Sequence, residues 1–107
     1  MNEDKTLLEL AAKSAGIEIT WENSHQFPER LEYFRGLPNY FSWNPLKDDG
    51  DALRLAVKLG IDIQHHFKHV EAWRVGLDEI MEYHDDDPYE ATRRAIVRAA
   101  AMIGELM

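Results

Sequence analysis

Four of the five histidines, His65, His66, His69 and His84, fall in one stretch, and the last is followed by Asp85, Asp86 and Asp87. Imidazole nitrogens beside carboxylates form the donor set of zinc and similar divalent ions. The spacing limits that chemistry. Consecutive residues of a strand point to opposite faces, so at most one of His65 and His66 can join His69 or His84. No His-Glu-x-x-His pair is present. The best-placed metal-binding or metal-dependent catalytic set is His84 with Asp85 or Asp86. Half-exposed histidines at a sheet edge and its turns explain the pattern more simply, so the sequence assigns no metal and no cofactor.

The acidic run reads differently. Asp85, Asp86 and Asp87 are preceded by Asp78, Glu79 and Glu82 and followed by Glu90. Asp87 has a helix to cap, but the others form an acidic patch suited to a basic protein surface. An imitation of duplex DNA needs a long row of carboxylates, one per ~1.7 Å, and a single cluster is short for that. Trp43, beside Asn44-Pro45, is a candidate contact anchor. The expected protein-binding residues are therefore Asp78, Glu79, Glu82, Asp85, Asp86 and Trp43, and the expected partner is a protein with a basic surface.

Other chemistries lack their residues. There is no cysteine, hence no disulfide, thiolate zinc site or thiol nucleophile. There is no glycine-rich phosphate loop, and Ser14, Ser24 and Ser42 do not follow a strand into a helix as a nucleophile elbow requires. Asp48, Asp49 and Asp51 lack the alternation and terminal Glu of a calcium loop and read as helix-start residues. The stripe Arg93, Arg94 and Arg98 reads as a solvated helix face. A net charge of −8 opposes nucleic acid and anionic lipid. With no basic leader and no long apolar run, the expectation is a non-enzymatic cytoplasmic protein that binds neither nucleic acid nor membrane.

The 107 residues suit one domain spanning 1–107, and 45% apolar with 30% charged residues lies near the globular norm. Residues 3–15 carry Leu7, Leu8, Leu10, Ala11 and Ala15 at helical spacing, and Gly16 ends that helix. Residues 17–21 alternate as a short strand, and residues 23–28 are polar and irregular. Residues 29–34 read equally as a helical turn or as extended chain, and residues 40–43 read as a strand that pairs with 31–34 in the extended case, across a turn at 35–39.

A second helix starts at Asp48 or Asp49 and stops at Gly60. Leu53, Ala56, Val57 and Gly60 are expected on one face, with Leu55 and Leu59 beside it. An antiparallel meander follows over 61–67, 70–75 and 79–84, with a turn at Lys68-His69. Its expected inward residues are Ile61, Ile63, His65, Phe67, Met81 and Tyr83, and Trp73 shares a face with Val75. The last helix has Asp87 as cap, Pro88 at its first position and Glu90 as capping partner, free to pair with Arg94. Thr92, Ala95, Ile96, Ala99, Ile103 and Leu106 face inward. The trio Trp21, Trp43 and Trp73 reads as core or sheet. The fold class is α+β, with amphipathic helices packed on a small, mostly antiparallel sheet.

Two blocks carry a resemblance. Trp43-Asn44-Pro45-Leu46 with Asp48-Asp49-Gly50-Asp51-Ala52-Leu53-Arg54-Leu55-Ala56-Val57-Lys58-Leu59 is the first. Asp86-Asp87-Pro88 with Ala91-Thr92-Arg93-Arg94-Ala95-Ile96-Val97-Arg98-Ala99-Ala100-Ala101 is the second. Together they resemble small phage and prophage proteins of the phage ABA sandwich domain family. The resemblance implies an α/β sandwich and a phage or prophage origin, and with it a host or phage protein as the partner with a basic surface. It implies no chemistry and no catalytic residue.

Overall fold

Two aspartates and a glycine set the ends of the helices that build the C-terminal part. Asp48 accepts from the Asp51 N–H at 2.8 Å and opens α2 (Asp49–Leu59), and Gly60 closes it in the left-handed region at φ 66°. Asp87 accepts from the Glu90 N–H at 3.0 Å and opens α3 (Pro88–Glu105). A computed structural model describes residues 2–22, 30–34 and 40–107, with side chains for residues 3–19 and 43–107. The chain runs α1 (Asn2–Ala15), β1 (Glu18–Glu22), β2 (Arg30–Phe34), β3 (Tyr40–Ser42), α2, β4 (Asp62–His65), β5 (His69–Trp73), β6 (Ile80–Tyr83) and α3. The fold is α+β. β3 pairs with β2 from Phe34↔Tyr40 to Glu32↔Ser42, as the aromatic run suggested. The expected turn at 35–39, the stretch 23–28 and the side chain of Trp21 lie outside the described residues.

Two antiparallel sheets form, β1-β2-β3 and β4-β5-β6. Helix α3 is the centre, packing on α1, α2, β5 and β6. That position explains its composition. Ala91, Ala95, Ile96, Val97, Ala99, Ala100, Ala101, Ile103 and Gly104 are all buried, more than one stripe can hold, because neighbours lie on several sides. Small residues let those neighbours come close. At Gly104 an added Cβ would run into the Leu10 carbonyl of α1. Among the described residues no helix is long and apolar enough to cross a membrane.

Expectations about direction need correction in α2, in the arginines of α3, in β6 and at two single residues, Phe67 and Leu106; Leu106, expected inward, is 75% exposed at the C-cap of α3. In α2, Ala52, Leu55 and Ala56 are buried with Leu59 half-buried, while Leu53 and Val57 are exposed. The buried set keeps helical spacing, and it also carries Asp51 inside. The Asp51 carboxylate accepts from the Asn44 N–H at 2.9 Å and from Arg54 at 2.7 Å, tying the Trp43–Leu46 segment to the helix start.

The arginines of α3 do not point away. Arg93 bonds Asp49 at 2.7 Å and the Leu46 carbonyl at 2.9 Å, and Arg98 pairs with Glu82. Arg94, expected to pair with Glu90, instead reaches Asp4 of α1 at 3.1 Å.

The third correction is the phase of β6. Ile80 is buried, and Met81 and Tyr83 face out. Period two from Ile80 turns Glu82 inward, where Arg98 neutralises it. An inward glutamate reads as outward until its partner helix is known. Phe67, also expected inward, is 90% exposed in the connection between β4 and β5.

Candidate functional site

The C-terminal sheet has one covered face and one open face. β5 is its central strand, and its Val70 and Ala72 are fully buried against the core. Period two therefore sends His69, Glu71 and Trp73 to the other side. Antiparallel register brings Tyr83 opposite His69, Met81 opposite Glu71, Gln64 opposite Glu71 and Asp62 opposite Trp73. The covered face receives Ile63, His65, Ile80 and Glu82 by the same rule. His65 meets Thr92 of α3 at 3.1 Å.

His66 stands in the short connection that the His66 N–H closes onto the His69 carbonyl at 2.8 Å. The turn thus centres on Phe67-Lys68, one residue before the expected Lys68-His69. It stacks the His66 and His69 rings, with centroids 4.3 Å apart and planes 8° from parallel. Both Nε2 atoms approach one oxygen of Glu71, at 3.4 Å from His66 and 3.1 Å from His69. Tyr83 leans on His69, with ring centroids 5.5 Å apart. The hydrogen bond from His69 holds the Glu71 carboxyl below its ordinary range. A hydrogen bond to Glu71, with the repulsion between the two acids, pushes Glu79 above its ordinary range. His69 and Glu71 are half-buried and His66 is exposed.

Comparison with protein-family models, with curated proteins and with solved structures returns no match for this chain.

The residues expected to bind a partner do not form one patch. Trp43 is 4% exposed and belongs to the core between β3 and α2, so it offers no contact surface. Glu82 faces α3 and is engaged by Arg98. Asp78 and Glu79 precede β6, whereas Asp85 and Asp86 follow it, and all four are exposed. The four residues of β6 therefore separate the two acidic pairs. His84 is half-buried with its Nδ1 unpartnered, and the metal-type cluster among the described residues forms at His66, His69 and Glu71 instead. Part of that cluster is readable in the sequence, since His69 and Glu71 lie two apart on one strand. His66 joins only through the hairpin closure, which carries no Gly or Asn turn signal.

Proposed function

We propose that this chain is a non-enzymatic binding module of phage or prophage type, and that the open face of the C-terminal sheet receives a protein with a basic-rimmed apolar surface. One observation carries the reading. The strand face opposite the core displays Trp73, Met81 and Tyr83 at 40%, 42% and 74% exposure, in a sheet whose other face is covered by α3. Aromatic residues and methionine are enriched at protein interfaces, and aromatic anchors supply much of the binding energy there. Phe67 and Val75 extend the apolar surface at the adjoining loops.

Charge argues for the partner. Residues 62–86 hold seven acids, Asp62, Glu71, Asp78, Glu79, Glu82, Asp85 and Asp86, against Lys68 and Arg74. Arg74 is turned to the Leu59 carbonyl at 2.8 Å. An acidic rim steers basic partners and repels acidic ones. The resemblance of the two sequence blocks to phage ABA sandwich proteins supports the origin.

The test is capture from bacterial lysate, with nuclease present, using wild type, Trp73→Ser/Tyr83→Ser, Asp85→Lys/Asp86→Lys and a Val57→Ser control on exposed α2. A stoichiometric basic protein held by wild type and the control, lost with the Trp73/Tyr83 variant and weakened by the Asp85/Asp86 variant, is the expected result. A protein retained equally by all four, or no protein at all, would contradict it.

A further inference from the structure

We propose that His66, His69 and Glu71 form a binding site for a divalent transition-metal ion of the zinc class. The donor atoms of these three side chains all lie within 4.8 Å of one another. A tetrahedral zinc ion with bonds of about 2.0–2.1 Å holds its ligand atoms roughly 3.3 Å apart. The two distances from the Glu71 oxygen, 3.4 Å to His66 Nε2 and 3.1 Å to His69 Nε2, already bracket that separation. Sharing one ion then requires the two imidazoles, now 8° from parallel, to tilt out of their stack until both ring planes pass through it.

The donors are positioned by structure that needs no metal. Glu71 sits on the central strand, flanked by partners on both sides. The backbone bond from His66 to His69 closes the hairpin, and the His84 N–H donates to the Lys68 carbonyl at 3.0 Å, fixing the turn from the β6 side. Ring stacking keeps the two imidazoles side by side, and Tyr83 packs against the second. The backbone that carries the donors is fixed before an ion arrives, and binding exchanges the stack for two metal–nitrogen bonds.

Donor chemistry chooses the ion. Two imidazole nitrogens and one carboxylate favour zinc, cobalt, nickel or copper over calcium and magnesium, which take oxygen ligands. Three protein ligands leave the fourth position of a tetrahedral ion open. Asp85 and Asp86 take no part in this site, which shares the open face with the proposed docking surface but rests on different side chains.

The experiment is titration of tag-free, chelator-stripped protein with Zn²⁺ by calorimetry, and with Co²⁺ by visible absorption. Wild type should bind one ion, give the intense d–d bands of tetrahedral cobalt, and melt at higher temperature with Zn²⁺ in excess. His69→Ala should weaken binding at least tenfold, as should Glu71→Gln, while His84→Ala and Asp85→Asn/Asp86→Asn leave it unchanged. All variants alter half-buried or exposed groups, and apo melting curves establish that each is folded. Absence of binding at 100-fold excess of Zn²⁺ over protein would overturn the proposal. So would affinity that survives the His66→Ala/His69→Ala double substitution, or that falls only with His84→Ala.

Discussion

The two faces of the β4-β5-β6 sheet share one backbone and differ in almost everything else. The covered face presents Ile63, Val70, Ala72 and Ile80 to the core, and its one acid, Glu82, meets Arg98. The open face presents His69, Glu71, Trp73, Met81 and Tyr83, with His66 and Glu79 at its rim. Stability resides in the first. The second holds large apolar groups and a tight polar cluster that the core does not use, and this contrast points to a role in recognition.

The largest break in that comparison comes from placing a charge on each face. Val70→Asp buries a carboxylate under α3 beside its cross-strand neighbour Glu82, whose partner Arg98 is already engaged. A penalty of several kcal/mol should abolish the cooperative thermal transition. Tyr83→Asp on the open face should change unfolding free energy by no more than about 0.5 kcal/mol, measured by urea denaturation.

Next in size are changes behind the covered face. Gly104→Ala forces α1 and α3 apart at Leu10 and should cost about 1–3 kcal/mol, read as a lower urea midpoint with an unchanged slope. Asp51→Ala leaves the Asn44 N–H without its carboxylate and should cost about 1–3 kcal/mol on the same assay.

The smallest effect sharpens the open face. Glu79 has its carboxyl raised by Glu71, so in the folded state it favours the protonated form. Its contribution to stability is present below its ordinary value near 4.5 and is lost as pH rises through the higher folded value. Glu79→Gln, in metal-free buffer, should therefore raise the melting temperature slightly at pH 7, with the advantage vanishing as pH falls to 4. Glu71 has the opposite sign, its contribution being lost as pH falls through a depressed value.

Much of the fold was readable because its signals are local. The caps Asp48 and Asp87, the stop at Gly60 and the strand alternation each need only near neighbours in the chain. What failed depended on distant partners. The stripe containing Leu53 and Val57 and the stripe containing Ala52, Leu55 and Leu59 both keep helical spacing, and the buried Asp51–Asn44 bond accompanies the second. Inward Glu82 is intelligible only with Arg98, sixteen residues later, and this reversed the faces of Met81 and Tyr83. The acidic residues were seen, but a strand separates them. The His66–His69–Glu71 cluster was half visible, its third member delivered by hairpin geometry.

Hydroxyl-radical footprinting tests the open face most directly. The purified chain would be oxidised in buffer and in bacterial lysate, recovered, and mapped residue by residue. Protection in lysate confined to Trp73, Met81 and Tyr83, with exposed Leu53 and Val57 oxidised equally in both, is the predicted result. Equal oxidation of the open face in both conditions, or protection centred on α2, would contradict its role in binding.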